Sequence, residues 1–285
     1  MGLSIRKACV EDADECGRIC YEAFAAIAAA HNFPPDFPNV EFAARMFHGM
    51  FGRPGVYAVV AERDGVIVGS NCLDERNAVS GVGPITVDPA GQNQGVGAQL
   101  MRAVMERSAA QGFAGIRLVQ AGYHTRSLSL YSKLGFDVRE HLSCMQGPAI
   151  NETIGGFAVR AATLADLDAC NVLCAAVHGF DRSHELRDAV DQGGASVVER
   201  NGRITGYTAR IAFFAHTVAE TTDDLKALIA AADSFLGPGF LVPSRNGALM
   251  RWCLARGLRV TQTLTLMTMG LYSEPAGAWL PSVLY

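Results

Sequence analysis

Alternating apolar and polar positions in the first half of the chain predict three consecutive strands. Apolar and β-branched residues dominate 56–62 and again 66–73, and Asp64-Gly65 between them favours a two-residue hairpin turn with positive φ. A third extended segment covers about 80–88. These three segments predict an antiparallel meander.

The pattern changes to a helical period after this meander. Apolar side chains recur on one side of residues 95–110, which predicts an amphipathic helix that ends near Gly112. A buried strand, a short helix at 126–134 and a last strand follow it. Because strands come first and a β-α-β-α-β order follows, the first half predicts a mixed, mostly antiparallel sheet flanked by helices, an α/β fold of the α+β type.

The second half of the chain repeats the first. Residues 5–20 and 159–174 share six identities at one constant offset, whereas chance would supply about one. The hairpin sequence at 62–69 resembles 199–206 in the same way. The identical pairs of the first window are Arg6/Arg160, Ala8/Ala162, Asp12/Asp166, Asp14/Asp168, Cys16/Cys170 and Cys20/Cys174. The repeat predicts two tandem copies of one fold.

Length and composition fit this division and exclude several classes of protein. The 285 residues suffice for two domains, which the repeat places at 1–147 and 157–285. A net charge of −4 argues against nucleic-acid binding, which needs a basic surface. The sequence has no apolar run of membrane-spanning length and no signal-peptide pattern, so it predicts a cytoplasmic protein with no membrane partner. The spacing of the eight cysteines predicts neither a metal site nor disulfides.

Closely spaced glycines stand where the third strand gives way to the helix. The segment GQNQGVGAQ contains Gly95 and Gly97. The first N–H groups of a helix have no partner within the helix and lie at the positive end of its dipole, so residues without a side chain there would let an anion approach them. A diphosphate suits such a loop, and a tight strand-to-helix turn is the alternative explanation. The third glycine of a dinucleotide-binding fingerprint and the lysine of a P-loop are both missing.

Two motifs resemble the GNAT superfamily of N-acetyltransferases. VDPAGQNQGVGAQLM is similar to the family's acetyl-CoA signature, Gln/Arg-x-x-Gly-x-Gly/Ala, and LYSKLGF at 130–136 is similar to a second family motif, Leu-Tyr-x-Lys-x-Gly-Phe. The resemblance covers about 3–147. Through the internal repeat, the whole chain resembles tandem GNAT proteins whose C-terminal copy is degenerate, because 157–285 contains no Gln-x-x-Gly-x-Gly.

The resemblance implies that acetyl-CoA is the co-substrate and that an amine attacks its thioester directly. Backbone groups of the third strand would hold the pantetheine, and the loop with the first helical turn would hold the pyrophosphate. Tyr131 would be the general acid that protonates the departing thiolate, a core aromatic being its alternative role. The residues implied for the cofactor are Ile85, Thr86, Val87, Gln92, Asn93, Gln94, Gly95, Val96, Gly97 and Ala98.

The sequence leaves the general base open. The cofactor strand carries no Glu or His, which moves the search to Asp74 and Glu75 at the end of the preceding strand. Neighbours in a strand face opposite ways, so only one of the two can point into a cleft, and Glu75 is favoured. A strand-end charge cluster with Arg76 is the alternative. His124 is a third candidate, and it stands where the family commonly has Asn.

Two functions remain open at this point. One is an acetyl-CoA dependent N-acetyltransferase, whose acceptor is expected to be a small, partly hydrophobic amine rather than a protein amine. The alternative is a non-catalytic acyl-CoA-binding sensor or interaction module. The second domain would serve as a scaffold or as a wall of the acceptor pocket, and a homodimer is left open. The apolar C-terminal segment, 270–285, is expected to dock onto a domain.

Overall fold

The computed structural model describes residues 2–284, which form thirteen strands and eight α-helices. The first half runs β1 (Leu3–Lys7), α1 (Ala13–Ala30), α2 (Val40–Phe51), β2 (Val56–Arg63), β3 (Val66–Asp74), β4 (Ser80–Val87), α3 (Val96–Ala110), β5 (Gly115–Ala121), α4 (Thr125–Lys133) and β6 (Asp137–Gln146). The second half runs β7 (Ala158–Ala161), α5 (Leu167–His178), α6 (Ser183–Asp191), β8 (Ser196–Arg200), β9 (Arg203–Thr208), β10 (Thr217–Ala219), α7 (Thr222–Ala230), β11 (Phe240–Pro243), α8 (Gly247–Ala255), β12 (Arg259–Gly270) and β13 (Ala278–Leu280). The meander and the two helices predicted for the first half are confirmed as β2, β3, β4, α3 and α4.

The two halves contain the same elements in the same order, because β1 to β6 with α1 to α4 correspond to β7 to β12 with α5 to α8. The repeated residues also build the same local structure. The Arg6 guanidinium donates to both carboxylate oxygens of Asp12 at 2.7 and 2.8 Å, and Arg160 donates to Asp166 at 2.8 and 2.7 Å. In each copy the hydrogen bonds from the Arg hold the pKa of the Asp below its usual value. The predicted tandem α/β fold is confirmed.

The two copies exchange their last strands. The eight-stranded sheet has the order β1-β2-β3-β4-β5-β12-β6-β11, so β12 of the second copy lies between β5 and β6 of the first. The pairs that β12 makes with β5 and β6, and that β6 makes with β11, are all antiparallel. Since β5 corresponds to β11 and β6 to β12, the last strand of each copy lies beside the preceding strand of the other copy, and all four strands belong to the eight-stranded sheet. The repeat by itself did not predict this crossing, and the boundary between 147 and 157 stays a prediction of the sequence.

β13, near the C-terminus, closes the second sheet, which has five strands in the order β13-β10-β9-β8-β7. It pairs antiparallel with β10, and Ala278, Trp279 and Leu280 are all buried. The strand that corresponds to β10 in the first copy is β4, which has the parallel strand β5 on that side. The apolar C-terminal segment therefore docks as predicted, and it takes in the second copy the position beside β10 that β5 takes beside β4.

Leu280→Ala is expected to lower the free energy of unfolding by about 2–3 kcal/mol, because it leaves a cavity beside β10. The matched control is Leu271→Ala, which removes the same atoms from a side chain that is 53% exposed in the same part of the chain. The control should change the free energy of unfolding by less than about 0.5 kcal/mol. Urea unfolding followed by circular dichroism measures both. Equal effects of the two substitutions would contradict the docking of β13.

None of the helices between residues 2 and 284 is long and apolar enough to cross a membrane. Over the same residues, no group of three or more His, Cys, Asp or Glu side chains is arranged to hold a metal ion. The eight cysteines are free thiols, and all but Cys9 are buried.

Candidate functional site

An opening between β4 and β5 begins where these two parallel strands part. Their pairing is confined to two residue pairs at the start of β4, Ser80 with Ile116 and Gly81 with Arg117. Further along, within the described residues, β4 pairs with β3 alone after an irregularity in their register. The backbone at 85–87, for which ligand contacts are predicted, lies along this opening. Parted parallel strands leave backbone groups on the facing edge of β4 that a ligand can use.

A cavity of about 880 Å³ fills the opening, a size that is typical of small-molecule sites. One part of its wall is formed by β4, the loop before α3, and α4, and another part by α1 and the loop after it. β5 and the second copy contribute further parts. The first copy's wall includes 82–87, Gln92, Asn93, 95–98, His124 and Tyr131, and the second copy's wall is Phe213, Phe214, Gln262, Leu264, Val283 and Leu284.

The N-terminus of α3 presents unpaired backbone N–H groups at this cavity. Gly95 has φ +81°, a left-handed conformation that glycine adopts at little cost. Within residues 2–284 no side chain caps the helix, and Gln99 is the residue whose N–H first donates back, to the carbonyl of Gly95 at 3.2 Å. A Cβ at Gly95 would meet no atom within 4 Å, whereas at Gly97 it would lie 3.5 Å from Leu130, an ordinary contact. The backbone conformation thus favours glycine at 95, whereas at 97 the protein's own atoms leave room for a Cβ.

The corresponding helix of the second copy, α7, is capped by its own side chains. Thr221 Oγ1 accepts a hydrogen bond from the Asp224 N–H at 3.3 Å, and the Asp224 carboxylate accepts one from the Thr221 N–H at 3.0 Å. This capping box satisfies N–H groups that α3 leaves free, and its carboxylate repels an anion. The missing glycine motif of the second copy therefore coincides with a helix start at which no diphosphate is expected to bind.

Side chains of the loop before α3 accept hydrogen bonds from an arginine that belongs to neither motif. Arg126, at the start of α4, donates to Gln92 Oε1 at 2.6 Å and to Asn93 Oδ1 at 3.3 Å. Arg126 is exposed and lies on the cavity wall, where a guanidinium suits a phosphate. The Gln94 side chain instead bonds to an arginine on β2, and Gln94 is absent from the described cavity wall. A basic residue just over one helical turn before Tyr131 was the available sequence signal.

Tyr131, the predicted general acid, lies on the cavity wall and is 6% exposed. Its ring meets Phe136 edge to face with the centroids 6.3 Å apart. Burial raises the pKa of Tyr131 to about 12, while a hydrogen bond with Ser127 acts in the opposite direction. The phenol therefore keeps its proton at neutral pH and has it available to donate. The same packing also suits a tyrosine that only fills the core. A substitution is therefore needed to distinguish this role from that of a general acid.

His124 lies just before α4 on the same wall. Its Nδ1 is 2.8 Å from Ser127 Oγ, so Ser127 contacts both His124 and Tyr131. Burial, together with the nearby charges of Arg126 and His31, lowers the pKa of His124 to about 4. The imidazole is neutral at neutral pH, and a group with so low a pKa is a weak general base.

Glu75 is not brought to this cavity. Its carboxylate accepts two hydrogen bonds from Arg107 on α3, at 2.6 and 2.9 Å, and among the described residues it is not part of the wall. Its neighbour Asp74 is bound by Arg76 and lies on the wall of a second cavity of about 900 Å³. The charges at the end of β3 are therefore engaged in ion pairs, which matches the alternative that the sequence left open.

Glu75→Gln is expected to leave the rate of a reaction in this cavity unchanged within about twofold, because the carboxylate faces Arg107 rather than the cavity. The ion pair is partly exposed, so its loss should lower the free energy of unfolding by less than about 1 kcal/mol. Steady-state kinetics and urea unfolding measure the two quantities. A loss of turnover of more than about tenfold would return Glu75 to the role of general base.

The structure brings to the cavity an acid that lies outside both sequence motifs. Asp36, in the Pro-rich loop between α1 and α2, lies on the wall and accepts a hydrogen bond from Gln262 Nε2 at 3.2 Å. No motif contains it. The only signal in the sequence was a single acid among prolines and phenylalanines, FPPDFP.

The sequence and the fold of this chain are similar to those of known acetyltransferases. Residues 23–136 match the model of the acetyltransferase (GNAT) family. No curated protein matches the sequence. The whole chain superimposes on a putative acetyltransferase from Pyrococcus horikoshii with a TM-score of 0.74 and 17% identity, covering 100% of this chain and 93% of that one.

Two further solved structures share the fold over nearly the full chain. A GCN5-related N-acetyltransferase from Sphaerobacter thermophilus has a TM-score of 0.62 and 16% identity, with 97% of this chain and 98% of that one covered. A tandem GNAT protein from the clavulanic acid biosynthesis pathway has a TM-score of 0.58 and 13% identity, with 94% and 98% covered. At these identities the similarity is one of fold.

Proposed function

From the match of residues 23–136 to the acetyltransferase (GNAT) family, we propose that the chain is an acetyl-CoA dependent N-acetyltransferase acting on a primary amine. The observation that carries the proposal is that one cavity is bordered by uncapped helical N–H groups, by the open edge of β4 and by a buried, protonated phenol. These are the parts needed to hold a diphosphate, align a thioester and protonate a leaving thiolate.

The residues around the cavity fit acetyl-CoA. The free N–H groups of 96–98, with Arg126 beside them, would bind the pyrophosphate, and the opening along 85–87 would accept the pantetheine amides. Gln92 and Asn93 would contribute through the loop backbone and through their hydrogen bonds to Arg126. Bound there, acetyl-CoA would supply an electrophilic acetyl carbon.

Tyr131 is proposed as the general acid. Its phenol is protonated at neutral pH, because burial raises its pKa to about 12, and it lies on the same wall as the loop and β4. Ser127 holds a position between Tyr131 and His124, which fits His124 as a neutral hydrogen-bonding neighbour of the acid rather than as the base.

We further propose that 1–147 is the catalytic domain and that 157–285 forms the acceptor side of the cavity. This is supported by the six wall residues of the second copy, Phe213 and Phe214 among them, and by the capped start of α7. The acceptor is proposed to be a small amine rather than a protein amine, because much of the wall is apolar and both copies line it.

The test is release of free CoA from acetyl-CoA in the presence of a panel of primary amines, with binding of acetyl-CoA followed separately by thermal shift. Amine-dependent release would support the enzyme. Thermal stabilisation by acetyl-CoA with no release for any amine would instead favour the alternative, a non-catalytic sensor, because binding to the native state alone raises stability. Absence of any stabilisation at millimolar acetyl-CoA would contradict both.

A further inference from the structure

The charged groups on the cavity wall are separated by sign. Arg126 and Lys133 both lie on α4 and on the wall, and Arg126 bonds to the loop before α3. Among the described residues of the wall, Asp36 is the sole acid, and it stands on the loop between α1 and α2. Complementary charge determines which ends of a ligand bind where, so a wall with cations beside the diphosphate site and one acid elsewhere suits an anionic co-substrate and a cationic partner.

Asp36 is held in place by the second copy. Gln262 donates its Nε2–H to the Asp36 carboxylate at 3.2 Å. Gln262 is 4% exposed and lies on the exchanged strand β12, next to a register irregularity against β6 between Val260 and Gln262. Such irregularities commonly re-aim a side chain beside a functional site. The strand exchange thus provides the group that orients the acid.

Aromatic rings line the same cavity wall as Asp36. Phe37, the next residue, packs edge to face on Phe24 with the centroids 5.5 Å apart and lies 6.4 Å from Phe214. All three rings are on the cavity wall. Asp36 and Phe214 also border the second cavity, so the acid stands where the two cavities meet. An apolar group that enters here would pack on the rings while its polar end reaches the carboxylate.

The Asp36 carboxylate has no ionic partner among the described residues. No Lys, Arg or His side chain within residues 2–284 forms an ion pair with it, and its hydrogen bond in that part of the chain comes from the neutral amide of Gln262. Burial raises the pKa of Asp36 above its usual value, while the Gln262 hydrogen bond acts in the opposite direction. A partly buried carboxylate without a counter-ion is stabilised when a cation binds next to it.

We propose that Asp36 binds the ammonium group of the acceptor and removes a proton from it, so that the acceptor is a primary amine with an apolar, ring-sized body. This rests on the proposed function. The aromatic wall selects the body of the acceptor, the carboxylate selects its charge, and Gln262 is the positioning residue.

The proposed step balances as follows. The carboxylate takes one proton from the ammonium and leaves a neutral amine. The amine nitrogen forms a bond to the acetyl carbon while the carbon–sulfur bond breaks, and the electron pair of that bond goes to sulfur. The phenol of Tyr131 gives its proton to the sulfur and regains one from the acetylated nitrogen. The products are an N-acetyl amine and free CoA, and Asp36 releases its proton to solvent.

The experiment uses the full chain with 2-phenylethylamine and isopentylamine as probes, and with 2-phenylethanol as the uncharged analogue. Asp36→Asn keeps the acceptor atom for Gln262 but removes the charge. The matched control is Asp233→Asn, at an exposed acid that lies on neither cavity wall. Asp36→Ala is made in parallel. Thermal shifts are measured for each probe and for acetyl-CoA, and turnover is measured as CoA release.

The expected result is that both amines raise the melting temperature of the unsubstituted protein and of Asp233→Asn, and that 2-phenylethanol does not. Asp36→Asn and Asp36→Ala should lose the amine shift, keep the acetyl-CoA shift, and lower kcat/KM for the amines about 10²-fold. The retained acetyl-CoA shift shows that the variants are folded and separates this inference from the proposed function.

Three results would overturn the inference. One is an amine shift that survives in Asp36→Asn, and another is turnover in that variant close to the unsubstituted rate. The third is a melting temperature of the unsubstituted protein that rises with acetyl-CoA but with neither amine. That result would contradict the proposed class of acceptor and would still support the cofactor site. Absence of the acetyl-CoA shift itself would overturn the proposed function first, and this inference with it.

Discussion

Tyr131→Phe is expected to lower kcat for acetyl transfer about 10³-fold while acetyl-CoA binds as before, because the substitution removes the proton donor and leaves the ring. The ring provides the packing: it lies against Phe136 and is 6% exposed. A buried hydroxyl with one hydrogen-bonding neighbour contributes about 1 kcal/mol to stability, so the variant should stay folded.

Single-turnover CoA release measures the chemical step, and a thermal shift with acetyl-CoA measures binding. The control is Tyr57→Phe, the same substitution at a partly buried tyrosine that lies on neither cavity wall. It should retain the full rate. If Tyr131→Phe also retains it, Tyr131 is a core aromatic and the thiolate is protonated by another group.

Gly95→Asp is expected to weaken acetyl-CoA binding about 10²- to 10³-fold, which corresponds to about 3–4 kcal/mol. The new carboxylate would stand in the open space beside the uncapped N–H groups of α3 and would repel the diphosphate. The substitution also carries a backbone cost, since φ at Gly95 is +81° and side chains adopt that region at a penalty of about 1 kcal/mol.

Gly65→Asp separates the two effects. Gly65 has φ +79° and, like Gly95, open space where a Cβ would stand, but it lies in the hairpin turn between β2 and β3 and on neither cavity wall. Both variants should therefore lose similar stability in urea unfolding, and Gly95→Asp should be the one that loses acetyl-CoA binding in calorimetry. Equal binding by both variants would show that the start of α3 does not hold the diphosphate.

Sequence patterns predicted correctly those features that depend on neighbouring residues, such as a helix or a tight turn. The helical period places α3 at Val96–Ala110 against a prediction of 95–110, and Asp64-Gly65 does form the β2–β3 turn with positive φ at both residues. The glycine motif likewise identified an uncapped helix start, because φ at position 95 and the missing cap depend on neighbouring residues alone. For its second glycine, Gly97, the role of letting an anion approach stays a prediction, since the protein's own atoms make only ordinary contacts there.

The sequence pattern did not predict which side chains pair with each other across the fold. Glu75 was expected to face the cleft, but Arg107, thirty-two residues further along, takes its carboxylate. Arg126 and Asp36 belong to no motif, and they matter because the fold brings them to the same cavity as Tyr131. A charge in a strand or loop can pair with any group that long-range packing brings near it, so its position in the sequence does not determine its partner.

The sequence by itself determined the duplication, the order of strands and helices, the uncapped helix start after the glycine-rich loop of the first copy and the absence of that loop from the second, because each follows from residues that act on their near neighbours. Only the tertiary structure decided that β6 and β12 change places, that β13 docks beside β10, and that Gln262 reaches Asp36 across 226 positions. Strand pairing satisfies backbone hydrogen bonds equally well with either copy, so the choice is made by the packing of the whole molecule.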